Sequence, residues 1–251
     1  MTTTPDFGPL DVSDFTLGAM LRTGIALRRA VRECRTLESA AGTIARYFYD
    51  HCVDLRSGSR TCVLARFYAT QRYDALEPAL QRFAAEAARM TAPPPGDMRC
   101  LVLMGTAGDE PAWNSRHHSR GHRAIPLPSA EIVRAAPMIA RLIEDLGIDL
   151  ESVVAGATPP PAAAEPRTYD VFHVEQALGS PAIPAQDEFV IPYAIRSVVG
   201  FGGVLRSGEL FAVVLFSRAP ISPASANRFR TIALDIRSAL FTLNERSVWG
   251  E

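Results

Sequence analysis

Residues 197–244 constrain the fold more than any other stretch. Ser197–Leu205 (SVVGFGGVL) reads as a strand weakened by three glycines, Arg206-Ser207-Gly208-Glu209 as a hairpin turn, and Leu210–Ser217 (LFAVVLFS) as a buried strand. Ser222-Pro223 then opens a terminal helix, with proline near its first position and Ile232, Ile236, Leu240 and Phe241 on its buried side. A strand pair feeding a helix requires a sheet to extend and a face to cover.

The upstream chain fits that requirement. Residues 1–13 read as a loose arm. A first helix follows over 14–33, capped by Ser13 or Asp14. Its apolar arc is wide: Leu17, Leu21 and Ile25 make one stripe, and Met20, Leu27 and Val31 extend it sideways. Thr36 and Ser39 cap a second helix carrying Ile44, Tyr47 and Phe48. Strands are expected at Thr61–Tyr68, Arg99–Gly105 and Tyr169–Val174, and a third helix at Leu76–Ala87. Glu131–Leu146 is helical with a break at Pro137, 156–166 reads as a linker or surface loop, and Pro184–Tyr193 as a helical turn and loop. The expected class is α+β: a central antiparallel sheet flanked by helices over 14–251, with an irregular insertion around 106–166.

Composition removes several functions. The chain has 251 residues, 47% of them hydrophobic, enough for a substantial core. All 26 basic residues are arginine, so Schiff-base chemistry and a lysine-bearing phosphate loop are excluded. Net charge is −1, which argues against nucleic-acid binding through a whole-domain basic field. The four cysteines, at 34, 52, 62 and 100, form no CxxC pair, and no GxSxG elbow is present. No apolar run approaches the ~20 residues that span a bilayer, and no secretion signal is apparent. A cytoplasmic protein with reduced thiols is the expectation.

The order strand, S-G-E-L turn, apolar strand and S-P helix resembles the closing unit of GAF domains, of the GAF/PAS sensory class. TAGDEPAWN (106–114), GHRAIPLPS (121–129), APMIARLI (136–143) and residues 172–203 resemble more narrowly the GAF-like module found ahead of bacterial histidine kinases and serine phosphatases. The resemblance implies a non-catalytic sensory or regulatory protein that binds a small ligand. It also implies a homodimer through the bracketing helices, with output through a separate kinase or phosphatase.

Candidate ligand residues are Trp113, Asn114, Arg116, His122, His173, Gln186 and Arg196, with the first three and both histidines expected in one pocket against the sheet. Arginine and histidine in 109–122 suit an acidic small molecule. His118 and His122 with Asp109 or Glu110, and separately His173, are candidates for a metal ion. His173, facing away from Phe172 and Val174, could also ligate haem iron through a neutral imidazole. A thiol-based GAF-like reductase is the enzymatic alternative, although each cysteine lies among apolar neighbours.

Overall fold

The computed structural model describes residues 8–90, 92–156, 169–241, 243 and 248–250. Six strands make one antiparallel sheet: β1 (Cys62–Arg72), β2 (Arg99–Gly108), β3 (Ala124–Leu127), β4 (Phe172–Val174), β5 (Ser197–Val204) and β6 (Leu210–Ser217), in the order β3-β2-β1-β6-β5-β4. One face is covered by α1 (Leu17–Val31), α2 (Leu37–His51), α3 (Pro78–Ala88) and α7 (Pro223–Leu240), over a core that includes Phe15, Phe48, Phe67, Phe201, Phe211 and Phe229. The other is covered by α4 (Ala130–Arg134), α5 (Pro137–Asp145), α6 (Leu150–Ala155) and a π-helical turn, Gln186–Val190, over Leu101, Leu142, Ile143, Phe172 and Phe216. Burial on both faces explains why β5 and β6 are apolar at nearly every position.

Local signals fix the ends. Thr36 and Ser39, expected to cap α2, do so as a reciprocal capping box, and the Ser222 hydroxyl accepts from the Ser225 N–H at the start of α7. The expected break at Pro137 separates α4 from α5. Gly208, at φ 92°, turns the hairpin into β6. The glycines of β5 admit neighbours: a Cβ at Gly202 would lie 2.0 Å from the Phe211 carbonyl oxygen, and one at Gly203 would meet the Tyr169 ring.

Several expectations change. The cap of α1 is Thr16, because Phe15 is buried and its N–H reaches Ser225 Oγ, leaving Ser13 and Asp14 in a turn. Within the expected arm, Leu10 and Val12 are buried, and Leu10 bridges to Cys52; residues 1–7 lie outside the described residues. The stretch 106–166 is less irregular than its composition suggests, holding β3 and α6 as well as α4 and α5. These elements are too short for periodicity to reveal. The proline-rich segment 157–166 lies outside the described residues. No helix among the described residues is long and apolar enough to cross a membrane.

Helix α1 packs Met20, Leu27 and Val31 inward and leaves Leu17, Leu21 and Ile25 at 61%, 56% and 40% exposure. The second apolar side is therefore not covered by α2.

Candidate functional site

Strand β1 lies inside the sheet, between β2 and β6, and carries one charged side chain in mid-strand. Arg66 pairs laterally with Thr106 on β2 and Val214 on β6. Alternation places it with Leu64 and Tyr68 on the face covered by α4–α6. Its Nη1 donates to the Tyr68 hydroxyl at 3.1 Å and its Nη2 to Ser119 Oγ at 3.2 Å, while Nε has no hydrogen-bond partner. Among the described residues Arg66 forms no ion pair. A partly buried guanidinium without a carboxylate is electrostatically unsatisfied.

The surrounding groups sharpen that imbalance. Ser119 is buried in a turn closed by the His118 and Ser119 N–H groups on the Ser115 carbonyl. His122 follows at φ 58°, the left-handed region. Part of His122 reaches solvent, but crowding by protein and, secondarily, the Arg66 charge hold its pKa below the usual 6.5. The Thr106 hydroxyl donates to the Trp113 carbonyl, and the Trp113 ring lies over Gly108 beside Tyr193 and Phe189, at 4.7 and 5.6 Å. The nearby acids have other partners. Asp109 accepts from Tyr49 and pairs with Arg218 at 2.7 Å, and Glu110 accepts from Tyr193.

A second polar node lies along the α2 edge. Arg116 is 6% exposed; its Nε donates to Glu38 and its Nη2 to Glu77 at 2.8 Å, while Nη1 has no partner. The Trp249 ring centroid is 5.0 Å from its guanidinium carbon. An open groove of about 350 Å³ runs beside it, lined by Glu38, Gly42, Gly105, Asn114, Arg116 and Gly250 among others.

The expected single pocket does not form. His122 lies two residues before β3 and His173 lies on β4, at opposite edges of the sheet. Five strand steps of ~4.8 Å put them on the order of 20 Å apart. His173 does face away from Phe172 and Val174, but its Nε2 is engaged with the Ile221 carbonyl at 2.9 Å. Asn114 is a local brace: Oδ1 accepts from Gly108 N–H and Arg46, and Nδ2 donates to the carbonyls of Gly108 and Glu110. Gln186 likewise closes the 177–186 loop on Gly179, Ala177 and Ile183. Arg196 is exposed just before β5. His118 is exposed, and no group of three or more potential metal ligands gathers among the described residues.

Burial pushes the Cys100 thiol up to about 12, and a hydrogen bond with Cys62 followed by burial raises that of Cys52. Such thiols stay protonated and are poor nucleophiles. Sequence reasoning missed Arg66 and Tyr68. The available signal was an arginine two residues from Leu64 and two from Tyr68, in phase with an inward face.

No protein-family model matches the chain, and no curated protein matches it. Among solved structures it is similar to the GAF domain of a phosphoenolpyruvate-protein phosphotransferase from Coxiella burnetii, at 10% identity and TM-score 0.46, covering 89% of this chain and 93% of that one. The corresponding GAF domain from Acinetobacter is 12% identical, with TM-score 0.41 and the same coverage. The chromophore-binding domain of a bacteriophytochrome from R. palustris is 10% identical, with TM-score 0.41, covering 94% of this chain and 64% of that one. Likenesses at this level carry nothing about a ligand.

Proposed function

We propose that the chain is a GAF-like sensory or regulatory module that binds a small anion, carboxylate or phosphoryl in character, and performs no catalytic step of its own. Arg66 carries this reading: an inward-facing guanidinium with a vacant Nε and no carboxylate partner. Tyr68, Ser119 and His122 surround it with further donors. The buried, protonated thiols of Cys52 and Cys100 support a binding role over a thiol-based reaction. Output passes to a separate signalling protein such as a kinase or phosphatase, and a cytoplasmic location belongs to the same reading.

Sulfate is the simplest probe, because its charge is constant between pH 5 and 8. Binding followed by calorimetry or amide chemical shifts is expected to weaken at least tenfold in Arg66→Met, since a hydrogen bond to a charged group contributes about 1.5–3 kcal/mol. Binding should tighten from pH 7.5 to 5.5, as a nearby anion favours imidazolium at His122; His122→Gln should flatten that profile. Wild-type affinity in Arg66→Met would overturn the assignment.

The same reading includes a homodimer. Leu17, Leu21 and Ile25 form a stripe on α1, and Leu234 on the packed α7 is 43% exposed. Closed two-fold pairing with a second copy covers such a stripe and leaves no open end. Light scattering at micromolar concentration should give the mass of two chains for the native protein and one for Leu21→Asp. One-chain mass for both would rule the dimer out.

A further inference from the structure

Residues 248–250 lie against the first turn of α2. The Val248 carbonyl accepts from Glu38 N–H at 3.0 Å, satisfying one of the helix's free donors, and Gly250 N–H donates to Glu38 Oε2 at 2.8 Å. Trp249 lies between these bonds, over the Arg116 guanidinium. The segment is thus attached to Glu38 and Arg116 together, and Arg116 is the second residue of the 115–119 turn. The other end of that turn is Ser119, whose hydroxyl receives Arg66 Nη2. One turn therefore joins residues 248–250 to the Arg66 guanidinium.

The geometry of Arg66 says what a ligand would do to this connection. Carboxylates and phosphates take the side-on fork of Nε and Nη2 in two parallel bonds. The same molecule shows that mode at Arg72, whose Nε and Nη2 meet the two oxygens of Asp74 at 2.9 and 2.5 Å. On Arg66 the Nε arm is vacant and the Nη2 arm is held by Ser119. A bidentate anion on Nε and Nη2 competes with the Ser119 hydroxyl for Nη2.

We infer that residues 248–250 form a releasable strap that locks the 115–119 turn, and that strap docking and anion binding at Arg66 oppose each other through that turn. The effect on ligand rests on the reading of Arg66 given above; the mechanical lock does not. By reciprocity the anion loosens the strap by the factor with which the strap weakens the anion. Among the described residues the attachment is modest: two hydrogen bonds, the ring contact with Arg116, and the packing of half-buried Val248 and Trp249 on the core, with Gly250 exposed. A partner that captured the freed segment would thereby read ligand occupancy.

Hydrogen exchange on the full chain tests the lock without any ligand. Trp249→Ala is expected to speed amide exchange across 116–119 at least tenfold and leave β5, β6 and α7 unchanged, while Trp249→Phe, which keeps a ring over Arg116, stays near native. Unchanged exchange in the turn of Trp249→Ala would overturn the strap. Sulfate titration tests the coupling: Trp249→Ala should bind sulfate three- to tenfold more tightly than the native chain. Equal affinity with binding intact overturns the coupling alone. Failure of sulfate to bind either protein overturns the ligand reading and the coupling together, while the exchange measurement still decides the lock.

Discussion

Gly105→Ala should cost the fold about 3 kcal/mol and lower its thermal midpoint by ~6–12 °C. A Cβ at residue 105 would stand 2.3 Å from the carbonyl carbon and oxygen of Ala41 and 2.5 Å from the nitrogen of Gly42. These are backbone atoms of α2, so no rotamer change can relieve the clash; the helix itself must move off the sheet. The position is created by an irregularity in the ladder. Phe67 pairs with Gly105 and Tyr68 with Leu103, so Met104 is an extra residue in β2. The bulge brings the β2 backbone under α2 where only a glycine fits. Gly42 makes the control. A Cβ there meets nothing within 4 Å, so Gly42→Ala should be neutral or stabilise by up to ~1 kcal/mol through helix propensity. Urea unfolding of both variants measures the contrast. Equal stabilities would mean that α2 does not sit this close to β2. Because Glu38 and Gly42 are on the same helix, Gly105→Ala should also disturb the groove beside Arg116.

The C-terminal unit was legible because its signals are dense and local. LFAVVLFS has the observed bounds of β6, and Ser222-Pro223 marks the start of α7. The unpartnered stripe of Leu17, Leu21 and Ile25 was legible for the same reason, an apolar arc wider than one contact face needs. Strand β3 and helix α6 were not, being 4 and 6 residues long and lacking a full period. The site failed on topology. Ser119 and His122 adjoin Arg66, yet nothing along the chain tells that β3 and β4 close opposite edges, so His122 and His173 looked like partners. Asn114 and Gln186 looked available because their amides are satisfied by backbone atoms only after the loops close. Arg66 was overlooked because an arginine in a strand ordinarily faces water. Its inward direction follows only once both faces of the sheet are known to be covered.

Arg116→Met should destabilise the protein by about 2–3 kcal/mol at pH 7, and the deficit should narrow on acidification. Removing one partner of a fully buried ion pair costs about 3–5 kcal/mol; the partial exposure of the two carboxylates, 20% for Glu38 and 36% for Glu77, calls for a smaller figure. The pH dependence follows from Glu38. Burial by itself raises its pKa, but the bond and charge of Arg116 and the Gly250 N–H outweigh it, so the carboxyl titrates below its usual 4.5. In the native protein that contribution is complete above 4.5 and disappears as pH falls through the lowered value. Without Arg116 its bond and charge no longer offset the burial, so the Glu38 pKa moves up from its lowered value and the pH-dependent contribution shrinks. Acidification below 4.5 then removes from the native protein stability that the variant has in smaller measure, and the gap closes. Urea unfolding at pH 7.5, 5.5 and 4.0 reads the two curves as they converge. Parallel curves would mean that Arg116 acts through packing alone. Arg116→Lys separates charge from geometry: an ammonium restores a cation but cannot hold Glu38 and Glu77 with the two arms of one planar group, so its deficit should be intermediate. The strap gives the same variants a second signature, because Trp249 needs the flat guanidinium face and its docking should fail in both.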